Sequence, residues 1–411
     1  MPAASRILLA DCDQMFVAVA RLVDPEGAGK AELLVVGGSA TSRGVVCSAS
    51  YQVRAFGVRS GMAIAQAARL CPRATFVPVP RSACGEKSRE VAAVLRRWAP
   101  KVEPASIDEF YLDMTGTEAV YRHRPLEETA AAIRAEVAAE SGLTVSIGGG
   151  SNRLIAKLAT ERAKPRVGSG GTGVLVIPPG AEAEFMATHA LAEIPGVGPR
   201  LQARLRTYGL LTVPDALRVE RPELERWLGP RTGAWLHQRI RGQASAGVEP
   251  DTEAKSMSRE ETFAKDIAAD RDLEAELLQL TTRLTADLRH DRLLARCVTL
   301  KLRDFDFKTR QASKTLETAI DTDRAVFAVA RELLRGLRAR RRVPARLIGV
   351  GLSRFEVVEA GSQLSLLDTA AAVALETDRD RAVSRAVDRI NARFGRDTVR
   401  PARLTRTGRP R

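Results

Sequence analysis

The sequence predicts an α/β (α+β) protein of several domains, and three observations carry that expectation. Strand-like apolar runs alternate with helical periodicity through about residue 165, a helix-only stretch spans 181–241, and strands return with helices after a polar interval. A chain of 411 residues also exceeds what one core organises, so two to four domains are expected.

Taken in order, residues 6–10 of RILLADCDQMFVAVARL read as a strand running into a helix from about Asp13. AELLVVGG is a second apolar strand closed by glycines, and the helix AIAQAARLC stops at Pro72. A helix over 86–98 leads to Pro100, and VEPASIDEFYLDMT reads as a hairpin of two short strands. A helix over 126–140 precedes LTVSIGGGS, a strand breaking into glycines, and then the helix NRLIAKLATERA. KPRVGSGGTGV is loop-like and marks a boundary. RGQASAGVEPDTEAKSMSREE reads as a linker into a further unit. That unit combines an amphipathic helix over 271–290, the strand ARCVTLKLRDFDF, a helix over 323–339 and the strand ARLIGVGLSRF, a small sheet with helices on one face. DRAVSRAVDRINARFG places Ala382, Val383, Ala386, Val387, Ile390 and Phe394 on one helical face, closed by Gly395.

The apolar fraction, 45%, and the charged fraction, 28%, are those of a globular protein, but Lys and Arg number 64 against 50 Asp and Glu. An excess of +14 suits a polyanionic partner. Cys12, Cys47, Cys71, Cys84 and Cys297 are odd in number and form no CxxC pair, which argues against a disulfide framework or zinc site and for a reducing cytosol. The apolar run ILLA is cut by Asp11 and Asp13, and no stretch approaches the ~20 apolar residues of a membrane span. A cytoplasmic protein without a membrane segment is expected.

SIDEFYLD is the anomaly. Asp108 and Glu109 stand together among the strand-forming residues Ile107, Phe110 and Leu112, where an unpaired buried charge costs several kcal/mol. Asp11 ends another apolar strand. Two readings fit. In one, Asp11 caps the next helix and Asp108–Glu109 is a solvated turn. In the other, three carboxylates converge and hard divalent cations such as Mg²⁺ or Mn²⁺ hold them. Tyr51 and Arg54 in SYQVR, and Lys157 after a glycine-rich break, are groups that bind polyphosphate, and they lie in the same region.

DCDQMF, GVVCSASYQVRAFGVRSGM, SIDEFYLD, SNRLIAKLATERAKP and IPGVGPRLQARL, in that order, closely resemble bacterial Y-family translesion DNA polymerases of the DinB (DNA polymerase IV) type, over about residues 5–355. The resemblance implies a right hand: palm 1–12 and 78–167, fingers 13–77, thumb 168–241, little finger 248–357. It implies two Mg²⁺ ions, replaceable by Mn²⁺, on Asp11, Asp108, Glu109 and the Cys12 carbonyl. Triphosphate contacts then fall to Tyr51, Arg54, Lys157 and Ser48, and Phe16 becomes a steric gate whose ring leaves no room for a ribose hydroxyl. The implied activity is low-fidelity, template-directed addition of a dNTP to a primer 3′-OH, without proofreading, by a monomer on primer–template DNA. Met15, Ala20 and Ser50 depart from the usual pattern and put the shape of the nucleotide pocket in doubt. A DNA- and clamp-binding relative without chemistry, and a metal nuclease, are the rival readings.

Three further stretches address partners. IPGVGPRLQARLRTYGL has the form of a helix-hairpin-helix, in which Gly196 and Gly198 let backbone N–H groups approach a phosphate beside Arg200 and Arg204. RELLRGLRARRRVPAR holds seven Arg and is expected to track the template backbone. Gln363, Leu364, Leu366 and Leu367 in GSQLSLLD match the short motif that engages the β sliding clamp, and tethering raises effective concentration at the primer end. Residues 358–411 are then a clamp motif followed by a basic tail.

Overall fold

Ile7–Cys12 (β1) holds six consecutive buried residues, and a strand buried on both faces belongs inside a sheet. In the computed structural model, which describes residues 5–165, 170–250, 253–357, 375–395 and 398–405, β1 is the central strand of five. A separate three-stranded sheet comprises β2 (Leu34–Val36), β3 (Ser48–Ala49) and β4 (Thr75–Val77). Around β1 the order is β5 (Lys101–Pro104), β6 (Glu109–Asp113), β1, β7 (Val145–Gly150), β8 (Val174–Val176). The chain divides into two units, Met1–Thr252 and Glu253–Arg411.

In the first unit, Leu8, Ala10 and Cys12 pack with residues of α1 (Met15–Val23), α4 (Arg81–Trp98) and α5 (Leu126–Ser141). Ile7 and Leu9 pack on the other side with Tyr111, Val248 and Ala156 of α6 (Arg153–Ala163). The glycines of LTVSIGGGS do not break the strand. Gly148, Gly149 and Gly150 complete β7 because α6 lies directly on it: a Cβ at Gly148 would come 2.0 Å from the Thr160 nitrogen, and one at Gly150 would come 2.3 Å from Ile155 Cγ2. The three-stranded sheet, α2 (Tyr51–Arg54) and α3 (Ile64–Leu70) enclose a small core of Val35, Val46, Val53, Val58 and Ala67.

Beyond β8 the unit is helical: α7 (Glu182–Ala187), a 3₁₀ turn at Leu191–Glu193, α8 (Pro199–Thr207), α9 (Val213–Leu217), α10 (Arg221–Leu228) and α11 (Pro230–Arg239). Two boundaries move. The expected helical domain begins at 168, yet β8 pairs in parallel with β7 and finishes the five-stranded sheet. The expected last domain begins at 248, yet Val248 is buried beside Ile7 and Leu9, and the division falls at 252/253.

The second unit is an antiparallel sheet in the order β11 (Thr309–Ile320), β10 (Leu293–Asp304), β12 (Ala345–Val357), β9 (Ser256–Ile267). Val298, Leu300 and Leu302 of β10 and Ile348, Val350 and Leu352 of β12 meet apolar residues of α12 (Asp270–His290) and α13 (Asp323–Arg340). β9 starts inside the expected linker, and β11 escapes the sequence reading altogether. Both are edge strands with one polar, exposed face, so neither shows a continuous apolar run.

Two members of the arginine run, Arg338 and Arg341, are spent inside the unit, whereas Arg335, Arg340 and Arg342 are exposed. Arg338 is buried and donates to Asp270 Oδ1 at 2.6 Å and to the Ala268 carbonyl at 2.8 Å, Arg341 meets Asp304 and Asp306, Arg335 meets Glu274, and Arg342 meets Asp270. The predicted C-terminal helix is α14 (Asp378–Phe394), followed by α15 (Ala402–Thr405). Arg289 grips Asp388 of α14 with two hydrogen bonds of 2.6 and 2.9 Å, and Val383, Ile390 and Phe394 remain exposed. Among the described residues no helix is long and apolar enough to cross a membrane. Gln363, Leu364, Leu366 and Leu367 lie outside the described residues.

Candidate active site

The carboxylates meet through strand register and a bend. Antiparallel pairing of β1 with β6 sets Asp11 directly opposite Glu109, and directly opposed residues project from the same face of a sheet. Asp108 precedes the first residue of β6 instead of standing inside a strand, as the sequence suggested. Ser106 makes the bend: its hydroxyl donates to Asp108 Oδ1 at 2.5 Å and accepts the N–H groups of Asp108 and Glu109 at 3.2 and 3.1 Å. The Cys12 N–H donates to the Asp108 carbonyl at 2.8 Å, tying the bend to β1. Adjacent residues that alternate faces in a strand thus reach one cavity.

That cavity, about 190 Å³, is lined by all three carboxylates, Cys12, Phe16, Ser48, Tyr51, Arg54 and Lys164. Phe16 is half-buried on the first turn of α1. Gln14, in the left-handed conformation at the start of that helix, accepts the Tyr51 N–H at 3.0 Å through its side-chain oxygen and links α1 to α2. Arg54 donates to the Ala49 carbonyl at 2.9 Å and lies 5.2 Å from the Tyr51 ring centre. Ser48 is buried on β3.

Two ammonium groups sit on the carboxylates. Lys164 Nζ is 2.8 Å from Asp11 Oδ2 and 2.5 Å from Glu161, and Lys157 Nζ is 2.6 Å from Glu109 Oε1. Burial pushes the Asp11 carboxyl up to about 7, with Lys164 opposing that rise and Glu109 adding to it. For Lys164 burial works downward, and Asp11 and Glu161 outweigh it, leaving the ammonium raised. Burial also raises the Cys12 thiol, with Asp11 and Asp108 contributing. The cost of burying Asp11 is thus only partly offset by Lys164.

As the side chains stand, no three His, Cys, Asp or Glu among the described residues come close enough to hold a metal ion. The donor set nevertheless fits one: three hard carboxylates border one cavity, and two of them already hold a cation in the form of lysine.

Sequence reasoning named Lys157 as a phosphate cation; of the two lysines it is Lys164, at the C-terminal end of the same helix, that lines the cavity. Ser106 and Gln14 were also missed, since a lone Ser and Gln carry no signal until the chain folds. In the helical region, Gly196 (φ +99°) makes a turn against Trp235, where a Cβ would meet the indole at 2.7 Å. Gly198 caps α8 with open space around it, Arg200 is exposed, and Arg204 donates to the Trp227 carbonyl.

Residues 10–161 match the impB/mucB/samB family, residues 254–366 its C-terminal domain, and residues 192–243 the thumb domain of DNA polymerase-iota. The chain is 35% identical to DNA polymerase IV of Desulfatibacillum aliphaticivorans over 398 residues, 97% of this chain and 96% of that one. It is 36% identical to DNA polymerase IV of Caulobacter vibrioides over 392 residues, 95% and 91% of the two chains. A Y-family DNA polymerase chimera of Dbh and Dpo4 superposes with a TM-score of 0.76 at 27% identity, covering 86% of this chain and all of that one. DinB from Sulfolobus solfataricus superposes with a TM-score of 0.58 at 27% identity, with the same coverage.

Proposed function

The chain belongs to the impB/mucB/samB family and is a DNA-directed DNA polymerase of the Y-family, translesion type; from that premise we propose that Asp11, Asp108 and Glu109 carry its chemistry. The observation that supports this most is the Asp11–Glu109 cross-strand pair, with Asp108 bent onto the same cavity as Phe16, Tyr51 and Arg54.

Asp11, Asp108, Glu109 and the Cys12 carbonyl would hold two Mg²⁺ ions, for which Mn²⁺ substitutes; when bound, these ions activate the primer 3′-oxygen and offset charge on the leaving pyrophosphate. The primer oxygen forms a bond to the α-phosphorus of the dNTP as the α–β phosphoanhydride bond breaks. Arg54, Tyr51 and Lys164 bind the triphosphate on the cavity wall, with Ser48 beneath them. Lys157 is one bond removed, on Glu109, and orients that carboxylate. The Phe16 ring occupies the space a ribose 2′-hydroxyl would need.

In this reading the five-stranded sheet is the palm, the three-stranded sheet with α2 and α3 the fingers, the helical region the thumb and the second unit the little finger. The exposed backbone at Gly198 and the side chain of Arg200 contact a DNA phosphate without reading sequence. Gln363, Leu364, Leu366 and Leu367 engage a β sliding clamp, and the polymerase works as a monomer.

Primer extension on an undamaged template with Mg²⁺ and each dNTP tests the assignment. Wild type extends the primer, and Asp108→Ala binds the same DNA without extending it. Extension that survives in Asp108→Ala removes the carboxylates from the mechanism.

A further inference from the structure

The turn between β10 and β11, DFDFK at 304–308, exposes two aromatic rings on an unusually constrained piece of backbone. Phe305 is 49% and Phe307 64% exposed, and these are two of four exposed phenylalanines among the described residues. Phe307 has φ +65°, a left-handed conformation that bulky side chains rarely adopt. Such strain persists only where the surroundings over-determine it.

Here they do. Asp304 has no exposed surface and accepts from Arg310 at 2.7 and 3.1 Å and from Arg341, which also reaches Asp306 at 2.9 Å. The Phe307 N–H donates to the Asp304 carbonyl at 3.0 Å, and the Phe305 N–H to the Pro344 carbonyl at 3.0 Å. Nothing in the core of the unit needs either ring. The turn is braced to hold them outward.

The chemistry around the rings is cationic. The Arg346 guanidinium lies 4.6 Å from the Phe307 ring centre and covers one side of it. Lys308 is exposed, its nearest carboxylate, on Asp306, being 3.9 Å away and already engaged by Arg341. Arg303, on the strand leading into the turn, is bound to the neutral Thr309 hydroxyl at 2.9 Å. Aromatic faces interleaved with cations are the elements from which sequence-tolerant single-strand binding surfaces are made.

We propose that Phe305 and Phe307, with Arg346 and Lys308, form a stacking platform for unpaired bases of single-stranded template DNA. The proposal rests on the polymerase reading, since a polymerase always carries an unpaired template strand ahead of the primer end. It departs from a surface built of phosphate contacts alone: the rings contribute a part of the affinity that salt does not screen.

Fluorescence anisotropy of the full chain with a labelled oligothymidylate and with a labelled blunt duplex tests it. Phe305→Ala/Phe307→Ala should weaken oligothymidylate binding about tenfold or more, leave the duplex unaffected, and leave the slope of log K against log salt unchanged. Lys308→Ala should instead lower that slope by about 1. Equal oligothymidylate affinity in wild type and the double variant overturns the platform, and so does an equal loss on both DNAs. If DNA binding is unchanged and the double variant only loses contact with a protein partner, the patch is a protein surface and the proposal is wrong. Extension of a primer by wild type across a single unpaired template base tests the polymerase reading separately, and failure there would sink that reading and not the platform alone.

Discussion

One site in each unit handles buried charge in the opposite way to the other. In the first, three carboxylates border one cavity with incomplete partners, and burial drives Asp11 up to about 7. In the second, the most deeply buried charge, Asp304, is closed on two arginines, and buried Arg338 is matched by Asp270 and two backbone carbonyls. Both arrangements place ions in a poor solvent, but only the second satisfies them. An ionised group left short of partners is a functional candidate, whereas a saturated one is structural. Of the arginine run, Arg338 and Arg341 brace their own unit, so not every arginine in it is offered to DNA.

Replacing a charge on each side probes that contrast directly. Asp11→Asn should lower primer extension by about a thousandfold or more, since the interactions lost amount to several kcal/mol in the transition state. It should not destabilise the fold. A carboxyl raised from 3.8 to about 7 binds its proton more tightly folded than unfolded, so its contribution to stability falls as pH rises through that interval. In EDTA, urea unfolding of Asp11→Asn should lack this part of the pH dependence and equal or exceed wild type at pH 8. A variant less stable than wild type at pH 8 would mean that the Asp11–Lys164 pair is structural after all.

Arg310→Ala should do the reverse. It leaves the buried Asp304 short of a partner, costing about 3–5 kcal/mol of stability in the second unit, read from denaturant unfolding. Extension by the fraction that remains folded should stay near normal. Phe16→Ala should relax discrimination between dNTPs and rNTPs by about 10–200-fold, the range for reshaping a pocket by a few heavy atoms. Unchanged selectivity removes Phe16 from the gate. Among the lysines, Lys164→Ala should raise the KM for dNTP about tenfold or more, as expected for a lost charged contact. Lys157→Ala, off the cavity wall, should shift KM less and act chiefly on kcat. Equal effects would merge the two proposed roles.

Most helices were legible because each writes its own burial into a local period, as in the stretches 126–140, 271–290 and 323–339. The central strands β1, β10 and β12 showed as apolar runs for the same reason. The edge strands β9 and β11 did not, because a strand with one solvated face and one neighbour resembles a linker until its partner is known. LTVSIGGGS misled in the same way: the glycines make room for α6 and do not end the strand.

The sequence by itself determined which residues could do the chemistry. Asp11, Asp108 and Glu109 stand out because a carboxylate in an apolar strand is costly wherever it lies, Tyr51 and Arg54 as types that bind polyphosphate, and Phe16 only through the family resemblance. Only the tertiary structure decided which of them meet. The β1–β6 register opposes Asp11 to Glu109, the Ser106 bend turns Asp108 onto the same side, and folding carries Lys164 across 153 positions to Asp11. It likewise decided that Arg338 and Arg341 serve the fold and that Phe307 faces solvent. Local periodicity reports how a segment is buried, but pairing between distant segments depends on register and packing that no short window contains.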